Sequence, residues 1–352
     1  MRLNEVVRLP VLCLAGVLVG CGAKSDDTAG ADGADGTDAT DGTDGTDGTD
    51  GTDGTDGTDG STTGVSVIEI PVEGYYPEGV AIDRASNTLY VGSVGTGAIW
   101  AGSLDDGTVR EVLPSFATGG SIVGMKVVDG ALWACSSPSD ASAAASSLVR
   151  VDMATGELTG VYPLALYTFC NDFVVTSGGD VYVTDSYSSV VFRLPAGGTT
   201  VERWFDDSFY APIPGSFGFN GIELTEDESA LLVGRYDTGD ILRIPFASDG
   251  TPGAASLDSI DTPALYAGID GMGWKDGILY AVRDFTLVAL TGGATSGAWT
   301  SAPIDVFVDS PTTFAFDAAG DIWLVESQFS KFFDDDPATN GTAPFRVVRV
   351  DI

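Results

Sequence analysis

The sequence predicts an all-β protein, a six-bladed β-propeller carried behind a disordered polar tether. A short motif of a polar, then a small, then an apolar residue recurs as Glu78-Gly79-Val80, Asn171-Asp172-Phe173, Asn220-Gly221-Ile222 and Asp270-Gly271-Met272. Looser copies stand at Val123-Gly124-Met125 and Thr312-Thr313-Phe314. The first positions, 78, 123, 171, 220, 270 and 312, are 45, 48, 49, 50 and 42 residues apart, a regularity that marks a repeat architecture. Residues 65–352 then fall into six units, each of about 48 residues, the size of a four-stranded blade. Amphipathic helical spacing is scarce and short apolar runs are punctuated by Gly and Asp, as in sandwiches, barrels and propellers. The long, even period selects the propeller among them.

Each unit justifies its strands. In the first, Val80-Ala81-Ile82, Thr88 to Gly92, Ala98 to Ala101 and Val109 to Leu113 are separated by turn residues such as Asn87. The third repeats the plan with Phe173-Val174-Val175, Val181-Tyr182-Val183, Val190 to Leu194 and Val201 to Trp204. The fourth supplies Gly221 to Leu224, Ala230 to Val233 and Ile241 to Ile244; the fifth, Leu279 to Val282 and Leu287 to Leu290; the sixth, Ile322 to Val325 and Arg346 to Val350. Val65 to Ile70 precedes the first unit as an extra strand. We expect it to join the last unit and close the ring, which removes a free sheet edge. Trp100, Trp133, Tyr182, Trp274 and Trp323 sit on or beside strands, where rings pack between blades.

Composition excludes several functions. The chain has 352 residues, 16 basic and 51 acidic, no histidine, and a net charge of −35. Nucleic acid and anionic membrane surfaces would repel it. Without histidine, Ser-His-Asp and Cys-His catalysis and HExxH zinc sites are ruled out. Neutral or cationic ligands and metal cations are the partners that the charge favours.

Residues 1–20 are an address. Arg2 and Arg8 flank a basic start, and Leu9 to Val19 is an apolar run too short to span a bilayer. The segment ends in Leu18-Val19-Gly20-Cys21, which resembles a bacterial lipobox; that resemblance implies lipidation of Cys21, and Gly22 after it implies the outer membrane. Residues 21–64 follow as the lipidated cysteine and its linker. Asp-Gly-Thr triplets run from Asp41 to Gly60, and twelve Asp residues lie between Asp26 and Asp59. With almost nothing apolar to bury, nothing offsets the entropy of ordering this stretch.

In a propeller, residues just before the innermost strands converge on one mouth of the central channel. Glu78, Asn171, Asn220 and Asp270 would then meet there, and the small residues after them would let backbones approach at the axis. Two carboxylates and two amides suit a hard divalent cation, calcium first, with magnesium, manganese and, less well, zinc as alternatives. The same four residues could equally cap strand starts. Val123 and Thr312 offer little to such a site. Cys135, at the end of a second strand, and Cys170 belong to adjacent blades on this face. They are either a disulfide or two separate buried thiols. Asp185 and Ser186 read as turn formers. Phe329, Phe332, Phe333 and Asp334 to Asp336 fall in a long sixth-blade insertion.

The folded region resembles the senescence-marker-protein/gluconolactonase family, the regucalcin-like six-bladed propellers. The likeness is carried by Pro77-Glu78-Gly79-Val80, Asn171-Asp172 with Gly179-Asp180-Val181, Asn220-Gly221-Ile222-Glu223-Leu224 and Ile269-Asp270-Gly271-Met272. It implies a divalent metal held by Glu78, Asn220 and Asp270, with Asn171 at metal-bound water or substrate and Asp270 also the general base. It further implies hydrolysis of a lactone or related ester; we expect the chain to work as a monomer. Where family lactonases often carry a sugar-gripping arginine, this chain has Phe169, which points to a more apolar substrate. The alternative is a non-catalytic propeller that binds a small ligand or a protein around a structural metal.

Overall fold

The computed structural model describes residues 65–115, 120–261, 268–332 and 341–352. The predicted signal segment, Cys21 and the Asp-Gly-Thr linker lie outside these residues, as do Phe333 and Asp334 to Asp336. No helix among the described residues is long and apolar enough to cross a membrane.

Strands follow the period of the sequence. Strand β1 (Val67–Ile70) precedes the first blade, which comprises β2 (Pro77–Asp83), β3 (Thr88–Ser93), β4 (Ile99–Ser103) and β5 (Val109–Leu113). The second holds β6 (Ser121–Val128), β7 (Ala131–Ser137), β8 (Ser147–Val151) and β9 (Leu158–Pro163). The third holds β10 (Cys170–Val175), β11 (Val181–Asp185), β12 (Val190–Leu194) and β13 (Glu202–Asp206). The fourth holds β14 (Phe219–Leu224), β15 (Ala230–Arg235), β16 (Ile241–Pro245) and β17 (Ser256–Ile260). The fifth holds β18 (Ile269–Lys275), β19 (Ile278–Arg283), β20 (Thr286–Thr291) and β21 (Ala298–Pro303). In the sixth, β22 (Pro311–Phe316), β23 (Ile322–Glu326) and β24 (Phe345–Val350) are completed by β1, which pairs antiparallel with β24 from Val67↔Val348 to Ile70↔Phe345. The N-terminal strand thus fastens the last blade to the start of the chain, as the sequence leads one to expect.

Two local details differ from the sequence reading. The outer strand of the third blade starts at Glu202 rather than Val201, and β7 runs on past Cys135 to Ser137. A further contact has no sequence signal. The outer strands β17 and β21 pair in parallel, Ser259↔Ala298 and Ile260↔Trp299, and join blades four and five into one eight-stranded sheet. Asp258 explains the seam: it takes two hydrogen bonds from the Arg243 guanidinium, at 3.1 and 2.7 Å, and a third from Trp299 Nε1 at 2.9 Å. A carboxylate on β17 is thereby tied to both blades, and its burial is offset by charge-assisted donors.

Cores sit between neighbouring blades. Ile68, Leu89, Val91, Trp323, Val325 and Val347 are buried together where the sixth blade meets the first. Trp274 Nε1 of the fifth blade donates to Leu224 O of the fourth at 2.7 Å, so this ring both packs and pins.

At the axis the inner strands touch through backbone. A Cβ on Gly79 would lie 1.7 Å from Val123 O, and one on Gly221 would lie 2.0 Å from Asp270 O. Neither carbonyl can withdraw without breaking its own strand. We expect Gly79→Ala to destabilise the domain by about 3 kcal/mol or more in urea denaturation. Gly178→Ala, whose Cβ would meet only Thr176 Oγ1 at 3.6 Å, should change stability by about 0.5 kcal/mol or less. Equal effects of the two would show that the hub is not tightly packed.

Candidate metal centre

Every inner strand breaks register at the same place. Pairing with the second strand shifts between Pro77 and Val80, Ile122 and Met125, Cys170 and Phe173, Phe219 and Ile222, Ile269 and Met272, and Pro311 and Phe314. The two residues enclosed by each shift are the first two of the recurring motif. A bulge re-aims side chains that a regular pleat would send to the sheet faces. The sequence repeat is therefore a repeat of bulges, placed where the inner strands come together.

Three of the four anchors are nearly closed off from solvent: Glu78 is 6% exposed, Asn171 6% and Asn220 4%, while Asp270 keeps a partial opening. Glu78 Oε2 and Asn220 Oδ1 are buried and accept no hydrogen bond. Burial pushes the Glu78 carboxyl well above its usual range, and the charges of Asp270 and Asp172 push it further. Asp270 is raised for the same first reason, then by Asp172, with the Gly271 N–H opposing. The three carboxyls thus share one electrostatic environment. Buried acceptors without donors, next to carboxylates that resist ionising, form a site short of positive charge.

Asp172 is the residue that sequence reading passed over. Its motif position is held by glycine at 79, 124, 221 and 271, and a charged residue there breaks the small-residue rule. That departure was the available signal. Its Oδ1 accepts from Phe173 N–H at 2.8 Å and its Oδ2 from Ile222 N–H at 3.4 Å, so backbone amides hold it beside the hub. Neighbouring threonines pin the ring: Thr184 Oγ1 donates to Asn220 O at 2.6 Å and Thr312 Oγ1 to Glu78 O at 3.2 Å. Thr312 and the buried Val123 serve packing and support.

Among the described residues, no group of three or more Asp, Glu, His or Cys side chains is arranged to hold a metal ion. The expected set, two carboxylates with two amides, is of a different composition. Its all-oxygen donors and the two buried oxygens without donors fit a hard cation such as calcium, and the lack of histidine and thiolate disfavours zinc. A cavity of about 510 Å³ lies at the opposite end of the inner strands, lined by Lys126, Asp129, Ser177, Glu223 and Glu228 among others. It holds a base among acids and does not contain the anchors, so the bulged mouth is the stronger candidate. Burial lowers the Lys126 ammonium, but the charges of Asp172 and Glu223 outweigh it and hold the group above its usual value.

Phe169 stands outside the hub. Its ring lies 5.4 Å from that of Tyr187 and 5.7 Å from that of Phe217, on the rim of the same mouth. Asp185 is a loop anchor: its Oδ1 accepts from Phe169 N–H at 2.8 Å and Tyr187 N–H at 3.1 Å. Cys135 and Cys170 are joined, with Cα atoms 5.2 Å apart, and link the second blade to the start of β10.

No family model matches this chain, and neither does any curated protein. Solved structures do match in fold. A gluconolactonase from Xanthomonas campestris is 17% identical, with 81% of this chain and 89% of that one covered and a TM-score of 0.58. A calcium-binding regucalcin from Agrobacterium tumefaciens is 19% identical over 82% and 95%, with a TM-score of 0.60. The Malassezia sympodialis allergen Mala s 1 is 14% identical over 82% and 96%, with a TM-score of 0.63. The chain therefore has the fold of the gluconolactonase and regucalcin-like propellers.

Proposed function

We propose that the folded domain is a divalent-metal-dependent hydrolase of a lactone or related ester, working as a monomer tethered through lipidated Cys21 to the bacterial outer membrane. The observation that carries this reading is the pair of buried oxygens without donors, Glu78 Oε2 and Asn220 Oδ1, beside Asp270 and Asp172. Glu78, Asn220 and Asp270 would hold the ion, calcium first, with Asn171 beside them. When bound, such an ion would polarise the substrate carbonyl and acidify bound water.

The chain's own groups do the rest. Asp270, the anchor with an opening to the channel, takes the proton of the attacking water as the water oxygen bonds to the carbonyl carbon. It then returns that proton to the ring oxygen as the carbon–oxygen bond breaks. The amide N–H of Asn171 orients the carbonyl or the water. Burial of Glu78 and Asn220 excludes bulk water and keeps these dipoles in place. Asp270→Ala should lower kcat about 10³-fold on any lactone the protein opens, with the fold retained by circular dichroism. Elemental analysis of the purified chain should find a divalent metal, lost in Glu78→Ala. Turnover indifferent to chelator and to Asp270→Ala would overturn the assignment. Metal without turnover across a broad lactone and ester screen would favour the non-catalytic binding propeller, a reading that the apolar rim at Phe169 keeps open.

Proton linkage provides a second test. Glu78 and Asp270 have folded values raised above the usual carboxylate range. The stability tied to them is complete below the unfolded value, near pH 4, and is lost as pH rises through the raised folded values. The surface carboxylates Asp106, Asp140, Asp152, Asp249 and Asp227, the last lowered to about 2, act oppositely, losing stability as pH falls below 4. Metal-free protein should therefore melt at a higher temperature near pH 5 than at pH 8, and saturating calcium should recover the difference at pH 8. Glu78→Gln with Asp270→Asn should flatten the decline; a decline of the same size in that variant would assign it to overall charge repulsion.

A further inference from the structure

The mouth that holds the anchors is also where the molecule leaves its apolar side chains in solvent. Loops leading into each inner strand, and loops leaving each second strand, gather at this end, because the two strands are antiparallel and the pairing opens there, as at Cys170↔Asp185. Of the eleven large apolar side chains standing in solvent among the described residues, only Leu158, Val161, Leu257 and Ile352 are elsewhere; the other seven are on these loops. Random scatter of surface hydrophobics is ordinary, but concentration at one end of the molecule is not.

Two of the seven stand against local folding preference. Tyr167, 68% exposed, has φ +59°, and Phe285, 48% exposed, has φ +55°. Bulky residues are disfavoured in that backbone region, where glycine or asparagine costs less. Neither ring is buried, so core packing does not account for an aromatic at either place. The same set of loops carries a connected cluster: Tyr187 stacks on Phe217 at 6.1 Å with ring planes 6° apart, Phe169 touches both, and Phe217 meets Tyr236 edge-on at 6.0 Å. The set reaches the hub. Tyr236, Phe285 and Asp270 line one shallow crevice. Asp185, bonded to the N–H groups of both Phe169 and Tyr187, holds two of these rings in place.

Resting on the hydrolase reading above, we infer that this aromatic crescent is the specificity site. It takes the apolar arm of the substrate, a neutral lactone or ester bearing an aryl ring, while the carbonyl sits at Asp270. The continuity of the crescent with the Asp270 crevice identifies what covers it, since a ligand reacting at the hub must lay its remainder on these rings. Charge sets the class. The net charge of −35 repels an acidic arm, and the rings offer stacking faces for a planar apolar group.

The test uses the purified full chain with γ-phenyl-γ-butyrolactone and γ-butyrolactone, and measures the ratio of kcat/KM for the two. Tyr187→Ala and Phe285→Gly should each lower that ratio about tenfold, the scale of one lost ring contact. Phe285→Gly should at the same time keep or raise Tm, because it relieves the left-handed backbone; a purely structural phenylalanine would leave the ratio unmoved. An unchanged ratio in both variants overturns the inference. If neither lactone is opened, the broad lactone and ester screen tests the hydrolase reading separately, and calorimetry with the non-hydrolysable ether 2-phenyltetrahydrofuran decides on the crescent. Binding that weakens about tenfold in Tyr187→Ala supports the crescent. Binding absent from the native chain, or equal in the variant, overturns it. An unchanged ratio together with loss of phosphatidylcholine-vesicle binding in both variants would reassign the crescent to a membrane surface.

Discussion

Backbone contact between innermost strands is the constraint on which the rest of this molecule depends. At the axis there is no room for a side chain between one strand and the next: a Cβ at Gly79 or Gly221 would collide with the carbonyl of the neighbouring strand. The chain meets this crowding by placing a bulge in each inner strand and a small residue in nearly every bulge. The first residue of the bulge is then free to carry chemistry, because its side chain is turned off the sheet face. Packing and function are thus two consequences of one local distortion, and the motif repeats whether or not its first residue is polar, as Val123 and Thr312 demonstrate.

Electrostatics then follows from the shape. A closed ring brings Glu78, Asp172 and Asp270 into one enclosed space, though 94 and 98 residues of chain separate the first from the second and the second from the third. Their mutual repulsion, added to burial, drives Glu78 and Asp270 toward the protonated form. Hydrogen bonding relieves only part of this. Asp172 is held by two backbone amides, whereas Glu78 Oε2 and Asn220 Oδ1 have no donor. Such an arrangement is costly for a scaffold and useful for a site that waits for a cation.

The fold was legible because periodicity survives low sequence similarity: six copies of one motif at nearly constant spacing specify blade number, inner-strand position and the mouth. Ring closure by β1 was legible from an orphan apolar run before the first repeat. The joining of blades four and five was not, because a parallel contact between outer strands leaves no periodic trace and hangs on Asp258, Arg243 and Trp299, which are far apart in the chain. At the site, the four anchors were legible as repeat positions. Asp172 was visible only as an exception to the small-residue rule, and of the rim rings only Phe169 stood out, through the family resemblance. Phe169, Tyr187, Phe217 and Tyr236 come from separate loops, and sequence spacing says nothing of the contacts between their rings, whose centroids lie 5.4 to 6.1 Å apart.

Below the hub, charge is distributed unevenly along the channel. Lys126 lies inside the channel toward the far cavity, and the carboxylates it feels most are Asp172 and Glu223. It therefore offsets Asp172 from beneath, on the side away from the mouth. Glu78, by contrast, is affected by Asp270 and Asp172 with no cation among its principal influences. Lys126 thus faces Asp172 and Glu223, and no cation stands among the principal influences on Glu78 or Asp270. A fold needing only to neutralise its interior would place its cation among the closest carboxylates. On the proposed reading, the positive charge that Glu78 and Asp270 lack is supplied from outside, by the bound metal.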